Sequence, residues 1–374
     1  MLSTSHNLSI NIFPFYRLNK KVIFKLLNLR IMGLFQSFLI LMAILWIPFS
    51  TQLCEQHIGG SYFHCVLLQS KNIKCVGFNG SGQLGLGDNS DRGDQPNEVG
   101  DYLPFVDIGS QALAVHVGTG YSCAHLVTLE VKCWGNGGGG QLGQESAFNI
   151  GDGPFELGVY LDPINLGSPN SLILFIGNGI SSTCLATLDG DMKCFGSNGD
   201  GQLGYEDTST RGDSANSMGN YLPFVDLGPN QKVKYLSSGY RHFCSLLAND
   251  KIKCWGDNAN GFLGYGDIEE RGDETNEMGV SLPYVALGTG LTPFKIKGFW
   301  QHNLVLFTNG DLKGFGHGSN ARLAGTSHLG DDPNEMGDYL PTINLGTGRT
   351  AVDMSTGAFH SVSFSFNFDL IFFL

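Results

Sequence analysis

Four cysteine pairs, each ten residues apart, recur along this chain: Cys65/Cys75, Cys123/Cys133, Cys184/Cys194 and Cys244/Cys254. Their first members lie 58, 61 and 60 residues apart. Sixty residues beyond Cys244, Leu304 and Gly314 hold the equivalent places, and after another 58 Val362 does. A self-similar period of this length is the mark of a solenoid or a propeller, in which each unit buries its apolar face against the next.

The segment that begins at the second cysteine of each pair repeats closely. Its copies are CVGFNGSGQLGLGD from Cys75, CWGNGGGGQLGQES from Cys133, CFGSNGDGQLGYED from Cys194 and CWGDNANGFLGYGD from Cys254, with a degraded fifth copy, GFGHGSNARLAGTS, from Gly314. Short apolar runs bounded by Gly, Asn and Asp imply short strands joined by tight turns, and no long stretch carries the helical period. The 53 glycines in 374 residues are about twice the usual share and fit a turn-dense β protein. In the fourth copy, Trp255 is expected to pack between neighbouring units and Gly256 to allow close backbone approach. Asn258, Gly261 and Gly264 are expected to supply turns that need positive φ.

A longer insertion comes after each cassette. Three read RGDQPNEVGDYLPFVDIG from Arg92, RGDSANSMGNYLPFVDLG from Arg211 and RGDETNEMGVSLPYVALG from Arg271. Two variants begin at Ile150 and Leu329. A short strand such as 232–236 and a Gly-x-x-His step then lead into the next unit.

The aromatic-Gly…GQLG cassette, met five times over roughly 53–362, resembles the regulator of chromosome condensation repeat family. The resemblance implies an all-β fold, a β-propeller of four-stranded blades. Here it is built from five full ~60-residue repeats and a C-terminal fragment (351–374), short of the seven blades the family usually closes. Residues 363–374 lack the cassette and read as a degenerate tail, as a truncated C-terminus would.

Each cysteine pair brackets a strand, a turn and a second strand. A symmetric hairpin centred on Asn249 places Cys244 opposite Cys254, close enough for a cross-strand disulfide. The fifth repeat loses both cysteines together, as partners would. Disulfides within the four pairs are therefore the expected chemistry, with free buried thiols as in cytosolic relatives the alternative. Zinc fits poorly, because pairs ten apart, one per repeat, do not converge four sulfurs on one ion.

Compartment bears on that choice. Leu34 to Phe49 is a mostly apolar run preceded by Arg17, Lys20, Lys21, Lys25 and Arg30, with no acid among residues 1–53. This is the pattern of a signal peptide, or of a retained signal-anchor that leaves the body outside the cytosol. Met32 offers an alternative start. Residues 1–52 are accordingly assigned to targeting, and the body is expected to be secreted, lumenal or at the cell surface. Export and disulfides support one another.

Beyond residue 53 the chain carries 17 basic against 34 acidic residues, or −17. Such a surface disfavours nucleic acid, whose affinity for proteins rests on Lys and Arg. The Gly-Asp of RGD persists in all five insertions while the Arg does not, which marks a turn rather than an adhesion motif. The acidic loops could coordinate calcium, but their spacing matches no EF-hand. Asn79-Gly80-Ser81 is a glycosylation sequon within a tight turn. His242, His302 and His360 share one repeat position, where a structural hydrogen bond is more expected than catalysis. No triad, carboxylate pair or phosphate loop is recognisable, so no enzyme and no cofactor are expected.

The chain thus reads as an exported binding scaffold presenting its insertion loops to a protein or carbohydrate partner, with membrane contact only through the N-terminal segment. Candidate contact residues are His242, His302, His360, Asp94, Asp213, Asp273, Glu98 and Glu277. The alternative, implied by the best-known relative, is nucleotide exchange on a small GTPase.

Overall fold

The computed structural model describes residues 54–59, 62–167, 173–319, 322–323, 325, 327–358, 360–365 and 370–373. The segment assigned to targeting, 1–52, lies outside them. Among the described residues there are eighteen strands and no α-helix, and no helix long and apolar enough to cross a membrane.

The strands form six antiparallel three-stranded meanders. The first sheet is β1 (Cys54–Gly59), β2 (Phe63–Leu68) and β3 (Ile73–Gly77); the second is β4 (Ala112–Val117), β5 (Tyr121–Leu126) and β6 (Val131–Gly135). The third is β7 (Ile173–Asn178), β8 (Ser182–Thr187) and β9 (Met192–Gly196); the fourth is β10 (Val233–Ser238), β11 (His242–Leu247) and β12 (Ile252–Gly256). The fifth is β13 (Pro293–Phe299), β14 (His302–Phe307) and β15 (Leu312–Gly316); the sixth is β16 (Ala351–Thr356), β17 (Ser361–Ser365) and β18 (Leu370–Phe373). The C-terminal fragment thus builds a sheet of its own, and the segment assigned to a degenerate tail supplies the end of β17 and all of β18.

The fourth strand of each blade is present only in pieces. Beside the end of β3, Arg92 makes an isolated bridge to Gly77, and Ile150, Arg211, Arg271 and Leu329 do the same beside the third strands of the next four sheets. At the other end of β3, Val106 N donates to Ile73 O at 2.9 Å, a bond repeated by Ile164, Val225, Val285 and Ile343. Between the two attachments the insertion leaves the sheet, so the strand expected there is split into a bridge and a linker.

The cores lie between sheets. Each of five hydrophobic clusters takes its residues from two consecutive blades. Trp134 and Trp255 are fully buried, and each indole N–H donates back to the preceding cassette, at Gln83 O (3.1 Å) and Gln202 O (3.0 Å). The first strands of consecutive sheets also pack side by side. No packing of that extent joins the sixth sheet to the first among the described residues.

Gly261 and Gly264 have positive φ as expected, but Asn258 does not. Asn258 acts through its buried side chain instead, accepting from Leu263 N (2.9 Å) and donating to Asp267 O (2.8 Å). A side chain that satisfies its turn's own backbone needs no left-handed conformation to make that turn.

Candidate binding surface

In each hairpin the cysteines are opposed in the ladder and joined: Cys65–Cys75, Cys123–Cys133, Cys184–Cys194 and Cys244–Cys254, each with a Cα–Cα distance of 4.1 Å. All eight are fully buried. They brace the blades from inside and offer no surface.

The seams are held by a lysine that sequence reasoning passed over. Lys74, Lys132, Lys193, Lys253 and Lys313 all precede the second-cysteine position. Lys253 Nζ donates to Leu227 O of the previous linker (2.9 Å) and to Gly279 O of its own insertion (2.6 Å). Lys132, Lys193 and Lys313 bridge the matching carbonyl pairs. Lys74, in the first sheet, has only the insertion carbonyl, Gly100 O at 2.6 Å, and stays half-exposed. A buried ammonium needs several oxygens around it, and the seam provides them. Burial lowers the pKa of Lys193, Lys253 and Lys313. The sequence signal was there, since all five repeats keep the lysine even where the cysteines are lost.

His242 and His302 belong to the same construction. Both are fully buried, His242 Nε2 standing 3.0 Å from Asn303 Nδ2 of the next blade and His302 Nε2 2.8 Å from Ser361 Oγ. Burial pushes His242 down to about 4 and His302 to about 3. Tyr121 occupies the same place in the second sheet and donates to Ser182 O at 2.6 Å. The Gly-x-x-His step is a consequence of packing: a Cβ at Gly239 would run into the His242 ring. Burial therefore removes His242 and His302 from the candidate contact surface. His360, with no blade after it among the described residues, is exposed.

The insertion loops are folded by their own acids. Glu98 Oε2 accepts from Gly93 N and Gln95 N (both 2.9 Å), and Glu277 Oε2 accepts from Gly272, Asp273 and Glu274 N. Those backbone donors hold Glu98 below the usual carboxylate range. Asp213 and Asp273 are half-buried at seams, and burial followed by the charge of Glu277 raises Asp273. Asp94, in the first insertion, is exposed. The constant Gly-Asp is an inter-blade contact. Gly140 of one cassette lies so close to the next insertion that a Cβ would stand 2.6 Å from Arg211 O and 2.7 Å from Asp213 N. The arginines are not free either: Arg92, Arg211 and Arg271 pair with Asp88 (2.6 Å), Asp207 (2.7 Å) and Asp267 (2.9 Å).

The outward side of the loops is aromatic. Tyr102, Tyr160, Tyr221 and Tyr339 occupy one position of four insertions, and each is at least 63% exposed. Ser281 replaces them in the fourth insertion. Beside them Phe105, Phe224 and Tyr284 are partly exposed, each with a repeat lysine over its ring at about 5 Å. The signal in the sequence was a Tyr-Leu step at a constant place in four of the five insertions. Among the described residues no three His, Cys, Asp or Glu side chains are grouped to hold a metal.

Seams of this kind, repeated between meander blades, define a repeat-built β-propeller protein whose variable surface is its insertion loops. The profile of the regulator of chromosome condensation (RCC1) repeat matches residues 233–261, which contain β10 to β12. The ultraviolet-B receptor UVR8 of Arabidopsis thaliana is 26% identical over 266 residues, 69% of this chain and 52% of that protein. The regulator of chromosome condensation of Drosophila melanogaster is 33% identical over 151 residues, 38% of this chain and 24% of that protein. The chain thus spans about half the length of the first of these relatives and about a quarter of the second. Prp20p of Saccharomyces cerevisiae, whose structure was described with its binding to Gsp1p and histones, superposes with a TM-score of 0.61 at 17% identity, covering 85% of this chain and 70% of that one. Human WBSCR16 gives 0.58 at 19% identity, with 81% and 70% covered. These likenesses show the fold. The chain is a repeat-built β-propeller protein similar to those of the RCC1-repeat family.

Proposed function

We propose that this protein is an exported binding scaffold whose insertion loops offer an acidic, tyrosine-bearing rim to a basic partner protein. The observation that carries the reading is the repeated exposure of Tyr102, Tyr160, Tyr221 and Tyr339 while the rest of each repeat is spent on seams and turns. Tyrosine supplies large contact area at low entropic cost and is enriched in interfaces. The charge of −17 beyond residue 53 sets the sign of the partner through electrostatic steering. Export rests on the N-terminal pattern, supported by four internal disulfides.

The test is proximity labelling by the full chain carrying a C-terminal peroxidase, compared with a variant in which the four tyrosines become serine, the residue the fourth insertion already has at 281. The expected labelled set is made of secretory or extracellular proteins, predominantly basic, and it disappears in the variant. Equal labelling by both proteins would remove the rim from the account. A cytosolic or nuclear set containing a small GTPase would favour nucleotide exchange, and a set dominated by glycoconjugates a carbohydrate partner.

A further inference from the structure

The seam between the first and second sheets differs from the three after it. At the two cassette positions after the GQLG or GFLG step, the later seams carry Gln144 and Glu145, Tyr205 and Glu206, and Tyr265 and Gly266. Apart from Gly266, which has no side chain, these residues hydrogen-bond the backbone around their seams. Glu145 accepts from Ser217 N and Met218 N (both 3.1 Å), and Glu206 from Met278 N (3.0 Å). The Tyr205 and Tyr265 hydroxyls bond the linker carbonyls of Pro223 and Pro283. The first seam has Leu86 and Gly87, with neither glutamate nor tyrosine. A cleft of 380 Å³ remains there.

The facing loop is altered in the opposite direction. Four insertions place an asparagine in the left-handed region: Asn97, Asn216, Asn276 and Asn334, at φ 65°, 63°, 69° and 67°. The second insertion has Phe155 at φ 64°. Asparagine tolerates that conformation; a bulky aromatic residue is a genuine outlier in it. The strained ring gains no core position in exchange, being 77% exposed at the mouth of the cleft and edge-on to Tyr160 at 5.6 Å. Strain kept at an exposed residue points to function more than to folding.

We propose that this cleft is a recognition pocket for a cationic side chain, an arginine or lysine, of the partner protein. The proposal rests on the insertion-loop reading and narrows it to one seam. Phe155 and Tyr160 supply ring surface beside Phe105, which Lys74 already faces, and Asp107 of the first linker and Glu156 of the second insertion also line the cleft. None of the residues lining the cleft is basic. One oxygen of each carboxylate serves its own loop, Asp107 Oδ1 accepting from Gly109 N (2.9 Å) and Glu156 Oε2 from Gly151 N and Gly153 N (2.8 and 2.9 Å). The walls are thereby fixed while their negative charge remains. Rings beside fixed carboxylates favour a cation over a neutral chain of the same length.

The full-length chain is titrated with N-acetyl-arginine methylamide, with its uncharged counterpart N-acetyl-norleucine methylamide, and with cellohexaose, followed by saturation-transfer NMR. The expected result is saturable binding of the arginine probe, with the norleucine probe and the hexaose at least tenfold weaker. Phe155→Asn, which installs the residue of the other four copies, should melt no lower than the parent and bind the arginine probe at least tenfold more weakly. Asp107→Asn with Glu156→Gln should abolish the preference for charge while retaining the loop hydrogen bonds. Undiminished binding to Phe155→Asn, no binding to the parent chain, or a preference for the hexaose would each overturn the assignment. Should the probe fail while proximity labelling still depends on the four tyrosines, the cleft is wrong and the rim reading survives; should both fail, the rim reading falls too.

Discussion

His242 of the fourth sheet and Asn303 of the fifth meet across a seam with His242 Nε2 3.0 Å from Asn303 Nδ2, both side chains wholly out of contact with solvent. Burial keeps the imidazole neutral, with its pKa lowered from 6.5 to about 4. An unfolded chain binds this proton near pH 6.5 and the folded one only near 4, so the seam's contribution is complete above pH 6.5 and is lost as pH falls toward 4. The loss at pH 5 is about 2 kcal/mol for one such histidine, and His302, lowered to about 3, acts in the same sense. Glu270, raised to about 7 mainly by burial, has the opposite slope. Urea unfolding at pH 7.5 and pH 5 should therefore compare the parent with His242→Gln/His302→Gln, in which the Glu270 effect cancels. A smaller acid loss in the variant is expected; identical losses would refute the seam assignment.

The lysine staples predict a difference between positions identical in sequence pattern. Lys253→Met leaves the carbonyls of Leu227 and Gly279 without their shared donor in a buried seam, at a cost of about 2–4 kcal/mol. Lys74→Met, at a half-exposed residue with one carbonyl acceptor, should cost under about 1 kcal/mol. Parallel denaturation of the two variants checks it, and equal effects would mean the second carbonyl contributes nothing.

Gly201 is the cassette glycine at the seam of the third and fourth sheets. It has φ 68°, and a Cβ there would collide with the backbone of Gly272 and Asp273. Gly201→Ala should destabilise by about 3 kcal/mol or more, since neither backbone can retreat without opening the seam. Gly199→Ala in the same turn meets nothing within 4 Å and should be near neutral in the same thermal melt.

Much of this architecture is legible in the sequence because it repeats. The loss of both cysteines at Leu304 and Gly314 disclosed their pairing, and the persistence of Gly-Asp when Arg92 becomes Ile150 disclosed a turn. Repetition also misled. The acids drew attention as surface, whereas Glu98 and Glu277 are consumed by their own loops. The shared histidine position looked like one site, although His242 and His302 are buried and His360 is exposed: neighbours in space decide exposure, and a strand sequence does not record them. The fourth strand failed for a related reason, since hydrophobic pattern cannot show that an insertion carries the middle of the strand away from its ladder. Leu86, Gly87 and Phe155 stand out only once the seams are laid side by side.

Asn79 forms a sequon whose side chain is fully buried, donating to Asp88 O and accepting from Leu84 N, both at 2.8 Å. A glycan replaces one of the two hydrogens on that nitrogen and cannot be housed in the turn. Folded protein from a secretory host should carry Asn79 unmodified in peptide mass spectra. A glycosylated Asn79 in protein with the parent melting temperature would contradict the turn geometry.

The stapled, exported scaffold is tested most directly by counting thiols in protein expressed from its own cDNA and purified without reductant, with the N-terminus of the same sample sequenced. Each ten-residue loop should stabilise its blade by about 2–3 kcal/mol on the loop-entropy model. The account predicts four linked peptide pairs, Cys65–Cys75, Cys123–Cys133, Cys184–Cys194 and Cys244–Cys254, and a mature start near residue 52. Eight alkylated cysteines on a chain with an intact N-terminus would contradict export and disulfide formation together, and would make the GTPase exchange assay the next experiment.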